Sequence, residues 1–372
     1  MLAEDPNICV AGSNARKRME AYAGLFDELH VIVIGGDGVS VKKSGFFLYS
    51  TRVSNPISCR WRMYAKARSL AKAGHFDVVS AQGPNEVGLI AYRIAHSFGI
   101  RLQLQVHTDI LSLWYRGGSW KERFRYLLAC FLLPRADCLR VVSQRIKHSL
   151  ISELGVSESK ITVLPIFQDL EVFRTSSPKP EDIARLKEYS FKMIAVGRFV
   201  EKEKNFSMLI RMMAEFIKQE PHAVLILVGD GPDKETYNVQ RTTYNVKDNV
   251  IIEPWRASND LASFYKCFDA LLISSNYEGW GLVATEAMAA GLPVIMTDVG
   301  LAGEVVRDDA NGRVVPVGDA EAFLAACLDL CEHPEKRRAY ADAARRTIIE
   351  IRPRNQAEYL EQYRKSFEQC GA

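Results

Sequence analysis

Short apolar runs alternate with longer stretches of helical period along most of this 372-residue chain. Runs at 30–35, 77–81, 102–106, 138–142 and 160–164 are too short for ordinary helices and read as strands. Between them, at 15–29, 60–73, 86–98, 120–133 and 144–154, apolar residues recur with the spacing of a helix face. The pattern breaks at Thr175-Ser-Ser-Pro-Lys-Pro180 and then resumes. Strands follow at 192–196, 223–228, 250–253, 270–273 and 293–297, with helices at 205–219, 258–267 and 282–290. Such alternation predicts parallel sheets covered by helices. The expected fold is therefore α/β, with two Rossmann-like doubly wound domains over 1–170 and 171–354. Their junction falls in the turn-rich stretch 168–190. An amphipathic helix at 356–369 follows Pro353, and the segment 355–372 is expected to pack back on the first domain. The opening is irregular. Either Asn7-Ile-Cys-Val-Ala11 is the first strand, or the first strand is incomplete and only Met1-Leu-Ala3 precedes Glu4.

Composition narrows the class without naming it. Apolar residues make up 48% and charged residues 25%, the proportions of a soluble globular protein. No segment reaches the ~18 apolar residues of a membrane span, and the start lacks the basic and apolar regions of a secretory signal. The expected location is the cytoplasm. Eight cysteines (Cys9, Cys59, Cys130, Cys138, Cys267, Cys327, Cys331 and Cys370) include no C-x-x-C pair, so neither a disulfide framework nor a zinc site is expected. Charge is unevenly spread. Residues 1–175 hold 23 Lys and Arg against 15 Asp and Glu, in a chain whose net charge is only +3. This excess is either ordinary solvated charge or the mark of an anionic partner, a membrane surface or a phosphate-bearing acceptor. Nothing in the chain points to nucleic acid.

The richest segment is Ser275-Asn-Tyr-Glu278-Gly-Trp-Gly-Leu-Val-Ala-Thr-Glu286. It follows the strand at 270–273, and a helix begins at about Gly281. Ligands in doubly wound folds sit at the carboxyl ends of strands. The free N–H groups of a helix start favour a diphosphate, and Gly279 and Gly281, flanking Trp280, let that backbone approach closely. Glu278 in the loop can accept from sugar hydroxyls, and Glu286, inside the helix, from ribose hydroxyls. A second segment, Gly197-Arg198 through Lys204-Asn205, leaves the strand at 192–196. Arg198 offers a planar fork and Lys204 a point charge, a pair suited to a diphosphate leaving group, with Lys202 competing for the lysine's role. A third, Val228-Gly229-Asp-Gly-Pro232, is a tight turn whose first reading is structural.

In order and spacing, from Val196 to Gly300, these segments resemble glycosyltransferase family 4. The resemblance implies the GT-B fold, two domains facing across a cleft, and a retaining enzyme that uses a UDP- or GDP-linked sugar and needs no metal or other cofactor. It assigns Arg198 and Lys204 to the donor diphosphate, Glu278 to the donor sugar and Glu286 to the ribose. The backbone from Gly279 to Leu282 then helps hold sugar and phosphates. Two departures stand out: Trp280 replaces the commoner phenylalanine, and Gly300-Leu301 replaces a Gly-Gly. In the first half the match is looser. His107 ends the strand at 102–106, where relatives place a histidine facing the reacting centre; Asp109 is a weaker candidate. Gly12 is the nearest counterpart of the family's glycine-rich first loop.

The segment Trp114 to Phe131 poses a separate question. Trp120, Phe124, Leu127, Leu128 and Phe131 form one helical face flanked by Lys121, Arg123 and Arg125. The favoured reading is a helix packed on its own sheet; the other is a helix lying on an anionic bilayer, with peripheral contact at the inner face of the membrane. The expected reaction is transfer of a hexosyl group from the nucleotide sugar to the hydroxyl of a glycan or lipid-linked acceptor, in polysaccharide or glycolipid assembly. A nucleotide-sugar 2-epimerase and a catalytically silent nucleotide-sugar-binding subunit are the alternatives.

Overall fold

The chain traces two parallel α/β units in the computed structural model, which describes residues 1–51, 55–351 and 353–371. The first unit comprises Met1–Phe167 and Asn355–Ala372, the second Gln168–Arg354.

Seven strands build the first sheet: β1 (Leu2–Ala3), β2 (Leu29–Lys43), β3 (Phe46–Thr51), β4 (Val78–Ala81), β5 (Arg101–Val106), β6 (Cys138–Val141) and β7 (Ile161–Val163). Their order is β3-β2-β1-β4-β5-β6-β7, so the chain winds outward in both directions from β1. That strand has two residues, yet Leu2 pairs with both Ile32 and Ala81 and is buried. The other candidate, Asn7 to Ala11, is not a strand. Pro6 has no N–H to give to a ladder, and Pro6–Cys9 closes a 3-10 turn capped by Asp5.

The connections β3 to β4, β4 to β5 and β5 to β6 all run the same way along the sheet. Right-handed crossovers therefore put the helices Pro56–Ala73, Glu86–Phe98 and Trp120–Leu132 on one face. The helix Asn14–Ala23 joins β1 to β2 in the opposite direction and covers the other face. There Tyr22 stacks on Tyr363 of the helix Gln356–Glu368 at 3.9 Å between centroids.

The segment after residue 354 thus belongs to the first core, through Tyr359, Tyr363 and Phe367. A buried polar network fastens it. Arg140 Nη2 donates to Tyr359 OH at 3.1 Å, Gln105 Nε2 to Tyr363 OH at 3.0 Å, and Gln103 Nε2 to the Ser366 carbonyl at 3.0 Å. Cys138 and Cys370 are joined by a disulfide, their Cα atoms 5.0 Å apart. This corrects the expectation of unpaired thiols: the partners are 232 residues apart, and only the return of the last helix onto β6 brings them together. A second correction concerns the helix Trp120–Leu132. It turns Ala129 and Leu132 inward and leaves Trp120, Phe124, Leu127 and Phe131 exposed, so the aromatic face does not pack on the sheet.

The second unit holds β8 (Lys192–Val196), β9 (Val224–Val228), β10 (Val250–Glu253), β11 (Ala270–Ile273), β12 (Val294–Thr297) and β13 (Gly312–Val315), in the order β10-β9-β8-β11-β12-β13. Most of these strands are buried on both faces, as a parallel sheet with two helical layers requires. The winding reverses between β8 and β11, which opens a crevice at their carboxyl ends. Among the described residues, no helix is long and apolar enough to cross a membrane.

Candidate functional site

The reversal point collects most of the donor-side candidates. Gly197 and Arg198 leave β8, Gly229 leaves β9, and Ser274 to Gly281 lead from β11 into the helix Leu282–Ala290. Gly197 continues the ladder by donating to the Val228 carbonyl at 3.0 Å. Gly229 crosses so close to Gly197 that a Cβ on it would collide with the Gly197 carbonyl. At Gly197 itself the side chain of Lys204 passes close by: a Cβ there would lie 3.3 Å from Lys204 Cε.

Lys204 closes the short helix Glu201–Lys204, and Asn205 turns the chain in the left-handed region with φ +50°. From there Lys204 Nζ pairs with Glu278 Oε1, and both side chains are largely buried, at 17% and 14% exposure. Ser275 Oγ donates to the same carboxylate oxygen at 2.9 Å. The two loops are stitched together beneath this pair. Ser274 Oγ donates to the Lys204 carbonyl at 2.7 Å, Asn276 N to the Glu203 carbonyl at 2.8 Å, and Asn276 Nδ2 to the Lys202 carbonyl at 3.0 Å. Of the two competing lysines it is Lys204 that meets Glu278; Lys202 contributes its carbonyl to the stitching. Arg198 is exposed and donates to Glu203 at 2.7 Å, apart from the Lys204–Glu278 pair.

The helix Leu282–Ala290 begins at Gly281, whose φ of +103° suits glycine, and no side chain caps it. Its first N–H groups therefore face the crevice beside the ion pair. Trp280 is buried, and its carbonyl accepts from Leu301 N at 2.9 Å. A Cβ at Gly300 would strike that carbonyl, so only glycine fits there, while Leu301 beside it is fully buried. Four residues into the helix, Glu286 Oε1 accepts from Gln168 Nε2 at 2.9 Å, and Gln168 Oε1 in turn accepts from Thr285 Oγ1 at 2.6 Å. Burial pushes the Glu286 carboxyl up to about 7, against the opposing hydrogen bond from Gln168.

Gly12 and His107 lie in the first unit. Gly12, with φ +80°, precedes Ser13, which caps the helix Asn14–Ala23. His107 follows β5 at its carboxyl end. Its Nδ1 is buried without a hydrogen-bond partner, and desolvation, then the charges of Arg140 and Arg18, push the ring down to about 3. Asp109 is pushed up to about 6, mainly by burial. The stitching residues Ser274, Ser275, Asn276, Gln168 and Thr285 received no role from the sequence. Only the polar run after an apolar strand, Ser274-Ser-Asn276, hinted at them.

Paired α/β units of this architecture are those of GT-B glycosyltransferases. A sucrose-phosphate synthase from Thermosynechococcus elongatus superposes with a TM-score of 0.79 over 99% of this chain and 98% of its own, at 21% identity. The Glycosyltransferase Family 4 model matches residues 19–172, and the model for glycosyl transferases group 1 matches residues 178–347. The chain belongs to glycosyltransferase family 4. It is 32% identical over 190 residues to the UDP-Gal:alpha-D-GlcNAc-diphosphoundecaprenol alpha-1,3-galactosyltransferase of Escherichia coli, 49% of this chain and 48% of that one. It is 26% identical over 300 residues to the alpha-monoglucosyldiacylglycerol synthase of Streptococcus pneumoniae, 76% of this chain and 67% of that one. The matches thus span about half to two thirds of these relatives' length.

Proposed function

We propose that the protein is a retaining glycosyltransferase that moves a hexosyl group from a UDP- or GDP-linked sugar to a hydroxyl of a glycan or lipid-linked acceptor. The observation that carries this reading is the Lys204–Glu278 pair, held by Ser275 beside the uncapped start of the helix at Gly281. As the donor bond breaks, negative charge gathers on the departing diphosphate. A lysine and the N–H groups of a helix start, fixed in place beforehand, stabilise that charge without reorganising. Arg198, exposed and paired only at the surface with Glu203, adds a planar fork by exchanging Glu203 for a phosphate. Glu278 accepts from hydroxyls of the sugar and Glu286 from the ribose, while Gly12 and Gly229 shape loops at strand ends. His107, held neutral, acts as a hydrogen-bonding group. The diphosphate oxygen takes the acceptor's proton, so the scheme needs neither a carboxylate nucleophile nor a metal. The two relatives carry glycosylated lipids in their names, which supports a role in glycolipid or polysaccharide assembly at the inner face of the membrane.

The test is incubation with a panel of UDP- and GDP-sugars and candidate acceptors, following nucleotide release and the product's anomeric configuration by NMR. Acceptor-dependent release with a retained anomer is expected. An inverted product rejects the retaining mechanism. Free sugar with no acceptor product indicates an epimerase, and binding without turnover across the panel a silent subunit.

A further inference from the structure

The helix Trp120–Leu132 presents its apolar stripe to water. Trp120, Phe124, Leu127 and Phe131 follow the helical spacing and are 82%, 47%, 63% and 41% exposed. Leu113 and Trp114, just before it, are exposed as well. A second helix on the same face, Pro56–Ala73, exposes Ile57 by 82% and Trp61 by 68%. Apolar surface of this extent on a soluble domain marks an interaction site.

The two stripes belong to one surface. Between their helices lies Glu86–Phe98, and its first residue ties both neighbours: Glu86 accepts from Arg60 at 3.3 Å and from Arg125 at 2.9 Å. Tyr92 of the same helix meets the edge of Phe131 at 5.5 Å. Charge identifies the partner. Residues 56–73 carry five Lys and Arg and no Asp or Glu. Residues 113–135 carry five against a single acid, Glu122, whose carboxylate is taken up by Ser119 N and Oγ at 2.8 Å each. Glu86 takes up Arg60 and Arg125, and Glu153 pairs with Arg116; the other seven cations of these segments still outnumber Glu122, a local field for an anionic plane in a chain with net charge +3. Exposed indoles beside lysine and arginine are the side chains that settle at a lipid headgroup boundary.

We propose that this two-helix surface docks the protein on an anionic lipid bilayer. Trp61 and Trp120, with Phe124 and Leu127, enter the headgroup region, while Lys121, Arg123 and Arg68 meet lipid phosphates. Glu86 fixes the two helices so that both stripes engage one plane. The inference goes beyond the chemistry proposed above and does not depend on it.

The experiment uses the full chain with vesicles of phosphatidylcholine alone or mixed with phosphatidylglycerol, following co-sedimentation and tryptophan emission. Binding to the anionic vesicles with a blue-shifted emission is expected, weakening as salt screens the charges. The double variant Trp61→Ser/Trp120→Ser should bind at least about tenfold more weakly. Lys121→Glu/Arg123→Glu should erase the preference for phosphatidylglycerol. Both should keep the wild-type melting curve and donor turnover with a soluble acceptor, which separates failure of this surface from failure of the proposed chemistry. No binding of wild type to anionic vesicles overturns the proposal. So does equal binding by both variants, or a wild-type dimer in solution that the tryptophan variant abolishes, since the surface would then be a protein interface.

Discussion

Lys204 and Glu278, 74 residues apart in the chain, meet as a largely buried ion pair whose acceptor oxygen is also held by Ser275. The pair holds the Lys204 ammonium and the Glu278 carboxylate oriented at the strand ends of the second unit, where the proposed reaction puts the donor's diphosphate and sugar.

Loss of the cation should therefore strike turnover. Lys204→Ala is expected to lower kcat by more than roughly tenfold, the scale for losing a charge-stabilising group, with circular dichroism and the melting curve showing an intact fold. Lys202→Ala, which leaves the backbone stitching in place, should turn over close to wild type. Equal losses in the two variants would remove the special role of Lys204.

Glu286 sets a pH dependence with opposite signs for folding and for donor binding. Burial raises its carboxyl from 4.5 to about 7, so between these values the folded chain keeps a proton that the unfolded chain has released. Its stabilising contribution is complete below pH 4.5 and is lost as pH rises through about 7. In the proposed scheme the donor ribose donates to the Glu286 carboxylate, so donor binding should tighten over the upper part of that interval. Calorimetric titration of a donor at pH 6 and pH 8, alongside thermal melts, reads both trends. Glu286→Gln should flatten them; a slope that survives in this variant assigns them elsewhere.

His107 should contribute no titration near neutrality. With its ring pushed down to about 3 it stays neutral across the working range. The profile of kcat/KM between pH 5 and 8 is expected to have the same shape in wild type and His107→Asn, with His107→Ala the slower of the two variants. An acid limb near pH 6.5 that disappears in the asparagine variant would show the ring acting as a proton carrier.

Gly229→Ala should destabilise the second unit without touching a charged group. The new methyl meets the Gly197 carbonyl, and separating β8 from β9 to admit it costs about 1–3 kcal/mol, the usual range for overpacking. Urea melts measure this. A variant as stable as wild type would show that the strand ends part freely.

Much of this architecture is legible in the sequence because strands buried on both faces are forced to be apolar. Met193 to Val196 and Leu271 to Ile273 stand out against their flanks for that reason. β3 was missed because Phe46–Thr51 follows β2 after a two-residue turn and merges with it. β13 is not legible because Gly312-Arg-Val-Val315 is short and only its last two residues are β-branched and apolar. The candidate groups Lys204, Glu278 and Glu286 were legible from motif order. Their supports were not: Ser274 and Gln168 act on partners 70 and 118 residues away, and no local period records such a distance. Nor does periodicity say which side of a helix is covered. The stripe from Trp120 to Phe131 has the spacing of a core face and faces water.

The chain leaves the first unit at Phe167 and re-enters it at Asn355, so the helix that stacks Tyr363 on Tyr22 and links Cys370 to Cys138 is made after the second unit. On the ribosome, the second unit, Gln168–Arg354, emerges whole and can fold as soon as it is out. The first unit begins earlier and must wait: until the helix Gln356–Glu368 arrives, the buried polar groups of Gln103, Gln105 and Arg140 lack the partners that it supplies. The unit whose strands are made before the other is thus completed only after it, with its sheet left uncovered on the Tyr22 side while the second unit is synthesised.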